Sequence, residues 1–299
     1  PISQTSNLNT IKKMINKIFK EEELQLVFAE LTKAKNIVVV SHKGPDGDAV
    51  GSSLAFQQYL KLKGFDSTVI LPDGFPKFLS WMDGANEIKL FDKPKDGAKE
   101  IIETADVIFT LDFNDQSRVG YKMSDTLIKS DAFKVMIDHH QEPKDYANVT
   151  FSDAESCSTA QLVYEFIEAN GDLSLLNKSI AEAIYTGIMT DTGSFRFSST
   201  TSKTHEIAGK LIDLGLNQSV IHEEVYDVNT PDRLQLLGYT LNNKLELLPE
   251  IGVAIISLTT EEMLKYNTLK GYTEGFVNYA LSIQGIKVGV FVKEDTDMV

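Results

Sequence analysis

A run of β-branched residues, Ile37-Val38-Val39-Val40, leads into a loop from His42 to Asp48 and then into an apolar-periodic stretch from Ala49 to about Lys63. This strand-then-helix unit most constrains the fold. A short continuous apolar run suits a strand buried on both faces, and that burial requires helices on either side. The same grammar recurs at Ser67–Leu71, Val107–Leu111, Lys134–Ile137 and Val149–Phe151, with helices read over Thr159–Ala169, Ser174–Thr190, Ser202–Leu214 and Gln218–Tyr226. Strands alternating with helices predict an α/β fold, a mostly parallel sheet with helices on both faces. Apolar positions before Lys35 (Ile11, Met14, Ile15, Ile18, Phe19, then Leu24, Leu26, Val27, Phe28, Leu31) predict two amphipathic helices that serve the core or a homodimer interface.

After Asn229-Thr230-Pro231 the grammar changes. Strands are expected at Leu241–Leu247 and Val253–Ser257, helices at Glu261–Lys265 and Gly275–Ser282, and a strand at Val288–Val292. With 299 residues, more than one core is expected, so residues 1–228 are read as the first domain and 229–299 as a smaller C-terminal α/β domain.

Composition narrows the function classes. The chain is 42% hydrophobic and 24% charged, as in globular proteins, and its formal charge of -14 argues against a broad footprint on long duplex nucleic acid. One cysteine, no signal-like opening and no apolar run of the ~18 residues that span a bilayer predict a cytoplasmic protein without membrane contact.

Chemistry-bearing residues fall at the carboxyl ends of the expected strands. His42, Asp46 and Asp48 follow the first, Asp112 follows Val107–Leu111, and Asp138-His139-His140 follow Lys134–Ile137. In an open parallel sheet those ends share one edge, so these residues converge, and Asp191 can reach the same crevice from a helix end. Gathered carboxylates repel and resist desolvation, a difficulty that bound divalent metals remove. Taken singly, His42–Asp48 is equally an ordinary turn, and Asp112 a helix cap. An EF-hand is excluded because Val50 and Gln57 stand where that loop needs an oxygen ligand and a glutamate. The set draws on three of only five histidines; His205 and His222 read as solvated or core-edge, and Cys157 as a buried inert thiol.

The combination His42-x-x-x-Asp46-Gly47-Asp48-Ala49-x-Gly51-Ser52, Asp112, Asp138-His139-His140 and Asp191-Thr192-Gly193 resembles the DHH phosphoesterase superfamily over roughly residues 37–197. The part beyond Pro231 resembles the start of that family's second domain, DHHA1, and the chain ends before its glycine-rich histidine motif. Length and the segment Thr190–Phe197 look most like the bifunctional oligoribonuclease and 3'-phosphoadenosine 5'-phosphate phosphatase group. The resemblance implies two divalent ions, expected to be Mn²⁺ although a mixed histidine and carboxylate site also accepts Fe, Co or Zn. It assigns His42, Asp46 and Asp112 to one ion and Asp48, Asp112, His139 and Asp191 to the other, Asp112 bridging. Asp138 would orient a ligand from behind, and His140 would donate a hydrogen bond or proton beside the scissile phosphate. Arg118, the basic residue nearest Asp112 in sequence, is a candidate phosphate contact.

The expected partners are short single-stranded RNA or a small nucleotide. Two readings compete with this. An exopolyphosphatase or inorganic pyrophosphatase would need clustered cations in the second domain, where Lys265, Lys270, Lys287 and Lys293 are scattered. A non-catalytic nucleotide-binding regulator would have lost ligand positions that are all present here.

Overall fold

The computed structural model of the chain describes residues 18–294. Helix α1 (Glu21–Lys33) precedes β1 (Ile37–Val40), α2 (Gly47–Leu62), β2 (Ser67–Leu71), β3 (Lys89–Leu90), α3 (Ala98–Glu103) and β4 (Val107–Leu111). Then come α4 (Tyr121–Lys129), β5 (Phe133–Asp138), β6 (Val149–Ser152), α5 (Thr159–Ala169), α6 (Lys178–Asp191), α7 (Ser202–Asp213) and α8 (Gln218–Tyr226). The first of the two helices expected before Lys35 lies largely outside the described residues, and α1 is the second.

Six strands form one parallel sheet in the order β3-β2-β1-β4-β5-β6. β1 pairs with β2 on one side and β4 on the other, so the connections diverge there and open a crevice at the carboxyl ends. Every residue of β1 and β4 is buried, as their unbroken apolar runs require. On one face Val38, Val40 and Ile108 pack with Ile102, Met123 and Leu127 from α3 and α4. On the other, Phe109 meets Phe56 of α2 at 4.7 Å, and Phe56 meets Phe166 of α5 at 5.3 Å. β3, two residues at the sheet edge, is too short to leave a periodic signal.

The expected helix over Ser174–Thr190 begins later. A 3-10 turn holds Leu173–Leu175, and α6 starts after Asn177, whose side chain accepts the Ile180 amide at 2.9 Å.

The chain divides into two compact units. One contains the described residues up to Phe75 with Leu79–His222, and the other contains Pro76–Phe78 and the described residues from Glu223 on. The division lies within α8, earlier than the change of pattern at Val228. The second unit holds α9 (Pro231–Asn243), β7 (Leu245–Leu248), β8 (Val253–Leu258), α10 (Thr260–Lys265), α11 (Phe276–Leu281) and β9 (Val288–Lys293). Its sheet pairs β7 antiparallel and β9 parallel to β8, over a small core that includes Leu236, Leu258 and Phe276.

A strand expected over Leu241–Leu247 is therefore corrected: residues through Asn243 belong to α9. Thr230 caps that helix through the Arg233 amide, Pro231 fits its first turn, and Leu236 and Thr240 bury one face at helical spacing. No helix among the described residues is long and apolar enough to cross a membrane.

Candidate metal centre

The loop after β1 is a turn, but a turn that aims side chains. Asp46 caps α2, its Oδ1 accepting the amides of Asp48 and Ala49 at 3.0 Å each. This fixes one carboxylate at the start of α2 and places Asp48 two residues on, within the helix's first turn. Asp48 is buried, and both its oxygens accept amides from the start of α5, Thr159 at 2.7 Å and Ala160 at 2.8 Å.

Small residues let α6 come close enough to bring Asp191 into the group. A Cβ on Gly47 would lie 2.3 Å from Thr190 Oγ1, and one on Gly51 would lie 2.5 Å from the Ala183 carbonyl oxygen. One on Gly187 would lie 2.5 Å from Ala160 Cβ and 2.8 Å from Asp48 Oδ1. Asp191 is the last residue of α6, where sequence places it just beyond the helix.

Asp112 directly follows β4 in a left-handed conformation, φ 66°, and its amide donates to the Ile137 carbonyl at 3.2 Å. Such a backbone is uncommon outside glycine, although aspartate tolerates it better than most. The turn points its two oxygens at different neighbours. Oδ2 is 3.3 Å from His42 Nε2, while Oδ1 is 3.5 Å from His139 Nε2. His139 Nε2 is also 3.6 Å from Asp191 Oδ2 and 3.9 Å from Asp48 Oδ2, and His42 Nε2 is 4.0 Å from Asp46 Oδ1. Ligating atoms of His42, Asp46 and Asp112 lie within 4.8 Å of one another, as do those of Asp48, His139 and Asp191.

The donor set fits divalent cations. His42 Nδ1 lies 3.0 Å from the Lys43 carbonyl, and His139 Nδ1 lies 3.4 Å from that of Ser156. A carbonyl only accepts, so each Nδ1 carries a proton and each Nε2 is the atom turned to the carboxylates, the usual arrangement of a ligating histidine.

Electrostatics point the same way. Burial opposes charge on His42, yet the hydrogen bond and charge of Asp112, with Asp46, push its pKa up to about 9. Burial is likewise outweighed at His139, which Asp112, Asp48 and Asp191 raise to about 10. Burial and the neighbouring Asp112 and Asp191 charges push Asp48 well above the usual carboxylate range, and burial, with the charge of Asp112, lifts Asp191 to about 6. Asp112 alone is held low, because hydrogen bonds from His139 and His42 overcome its burial. Carboxylates that take up protons and imidazoles that keep theirs describe a pocket short of positive charge, which divalent cations supply.

His140 lies beside the group, its ring 4.7 Å from that of His139. Its Nδ1 sits 2.7 Å from Oδ1 of the fully buried Asp138. Asp138 thus orients His140, while the Ser156 carbonyl serves His139. Asp138 Oδ2 is buried with no hydrogen-bond partner among the described residues.

Arg118 is exposed, and its backbone carbonyl accepts the Lys43 amide at 2.8 Å. The stem of Lys43 passes Gly120 so closely that a Cβ there would lie 3.1 Å from Lys43 Cδ. The backbones of Lys43 and Arg118, both exposed residues, are thereby joined next to His42. Lys43 was not singled out in sequence, where one lysine in a turn carries no signal; Thr159 was missed because it reads as an ordinary helix start.

The remaining candidates lie apart. His205 stacks on Phe195 with ring centroids 5.6 Å apart, and His222 Nε2 lies 3.1 Å from Ser194 Oγ. Cys157 is buried, its thiol 3.1 Å from Gln161 Oε1 and pushed up to about 12 by burial.

A parallel sheet covered by helices, with this crevice of histidines and aspartates at its carboxyl edge, has the make-up of a phosphoesterase site. Residues 36–188 match the DHH family, N-terminal domain, and the chain belongs to that family. It is 28% identical over 265 residues to the bifunctional oligoribonuclease and PAP phosphatase of Bacillus subtilis (strain 168), covering 88% of this chain and 79% of that one. It is 29% identical over 223 residues to the like-named Thermus thermophilus protein, covering 74% of this chain and 63% of that one. Among solved structures, an exopolyphosphatase-related protein from Bacteroides fragilis superposes with a TM-score of 0.87 at 40% identity, covering 94% of this chain and 82% of that one.

Proposed function

We propose that this phosphoesterase hydrolyses short oligoribonucleotides and 3'-phosphoadenosine 5'-phosphate with two divalent ions, Mn²⁺ by preference, held by His42, Asp46, Asp48, Asp112, His139 and Asp191. The observation that carries the reading is Asp112, whose two oxygens face separate donor groups. The names of the Bacillus and Thermus relatives support the choice of substrates.

Cations bound there supply Lewis acidity towards a phosphoryl oxygen and lower the pKa of the attacking water. The chain's own groups do the rest. Asp46 and Asp48 are fixed by helix amides, so the carboxylates need no reorganisation as charge develops. Asp138 holds His140 through Nδ1, which leaves Nε2 to hand a proton to the departing hydroxyl. Arg118, with Lys43 at its side, pairs with a phosphate oxygen of the substrate. Residues 229–299 act as a DHHA1-like substrate-binding domain. With a charge of -14, affinity comes from local phosphate contacts, which favours short substrates in a cytoplasmic setting.

Exopolyphosphatase or pyrophosphatase activity is the second reading, favoured by the name of the Bacteroides structure. Metal-dependent release of phosphate or mononucleotide from 3'-phosphoadenosine 5'-phosphate, an RNA dinucleotide and inorganic pyrophosphate, assayed side by side, separates them. Turnover of the first two supports the proposal; preference for pyrophosphate transfers the chain to the second reading.

A further inference from the structure

We propose that the Thr159 hydroxyl is a positioning group for the metal centre, setting the rotation of the Asp112 carboxylate and through it the affinity for divalent cations. The inference rests on the two-cation reading above. Thr159 is fully buried at the first position of α5, and its Oγ1 donates to Asp112 Oδ1 at 3.1 Å. Its amide donates to Asp48 Oδ2, so one residue reaches two of the aspartates that converge from β1 and β4.

The other groups facing the Asp112 carboxylate are imidazoles. His42 and His139 approach it through Nε2, the same atoms that ligate cations. Once an Nε2 coordinates, it has no proton to donate. His140 Nδ1, 3.8 Å from Oδ1, is committed to Asp138. Among the described residues, the Thr159 hydroxyl is therefore the side-chain donor to Asp112 that survives loading of the site. Without it, the carboxylate loses the one side-chain hydrogen bond that does not compete with ligation by the imidazoles.

The hydroxyl stands on a rigid platform. Ser158 caps α5 through the Gln161 amide at 3.1 Å. Gln161 donates to Glu165 at 3.0 Å and accepts from Thr204 at 2.9 Å, and Lys203 pairs with Glu165 at 2.8 Å. This largely buried network fastens α5 to α7, so Thr159 holds Asp112 and not the reverse.

Valine and serine variants separate positioning from packing. Thr159→Val keeps the shape and the amide but removes the hydroxyl, and Thr159→Ser keeps the hydroxyl but removes the methyl. Calorimetric titration of Mn²⁺ into metal-free protein, with thermal melts as the folding control, reads the difference. Positioning predicts a ~10–100-fold weaker affinity for the valine variant, the scale of losing an outer-shell partner, with near-wild-type affinity for serine. Wild-type affinity in the valine variant, or equal losses in both, overturns the proposal. Should valine prevent folding, Thr159→Ala against Thr159→Ser gives the same contrast. A wild-type protein that binds no divalent ion overturns the two-cation reading itself, whereas a wild type that binds with an unaffected valine variant overturns the Thr159 inference alone.

Discussion

Asp106 and Asp112 bracket the same strand, β4, and have opposite fates. Asp106, before the strand, is solvated, and its Oδ2 accepts the amides of Lys35 and Asn36 at 2.7 and 2.9 Å. Those bonds hold its carboxyl below the usual range. Asp112, after the strand, is 2% exposed and sits among three imidazoles, those of His42, His139 and His140, and the Thr159 hydroxyl. The first carboxylate serves the fold, tying the segment before β1 to that before β4. The second leans on imidazoles that are themselves costly to bury, with the Thr159 hydroxyl as a neutral donor beside them. In a parallel sheet the amino edge is available for structure, while the carboxyl edge at the switch between β1 and β4 collects function.

The largest effect is expected from Asp112→Ala. Hydrolysis should fall by at least ~10³-fold, on the scale of losing a preorganised catalytic contact, while circular dichroism stays native. Unchanged turnover would remove Asp112 from the chemistry. Next comes His140→Ala, which should lower kcat by roughly 10²–10⁴-fold through loss of proton transfer, with Mn²⁺ affinity nearly intact. An affinity loss as large as the rate loss would make His140 a ligand, in keeping with its place near Asp112 and His139.

Gly187→Ala acts through packing. Its Cβ would collide with Ala160 and Asp48, so a destabilisation of about 1–3 kcal/mol in chemical denaturation should accompany weaker metal binding. Equal stability and affinity would show that α2, α5 and α6 can separate without cost.

The smallest effect should come from Asp106→Ala, with hydrolysis and metal affinity unchanged and the melting temperature slightly lower at pH 7. Because the folded-state pKa is depressed, the stabilisation is present above the unfolded pKa and disappears as pH falls through the folded one. The gap between variant and wild type should therefore close in acid, and a gap that persists there would deny the carboxylate its role.

Much of this was legible in sequence because the signals were local. β-branched runs marked β1, β2 and β4, and acidic residues or histidines immediately after strands marked the crevice. The convergence of His42, Asp46, Asp48, Asp112 and His139 follows from strand order once the sheet is parallel, whereas Asp191 joins them through the close approach of α6. What stayed hidden depends on tertiary contact. Thr159 looks like any helix start until its hydroxyl meets a residue 47 positions away. The pairing of Asp138 with His140 turns on ring orientation, which spacing does not encode. Leu245 and Leu247 alternate as in a strand, but the cap and proline upstream carry the helix through Asn243, past Leu241.

In the proposed function the carboxyl edge holds two divalent ions with Asp112 between them. Counting Mn²⁺ bound per chain, by titration of metal-free wild-type and Asp112→Ala protein, tests it most directly. Two ions are expected in the wild type, with loss or severe weakening of both in the variant. A single ion, none, or two retained with wild-type affinity without Asp112 would contradict it.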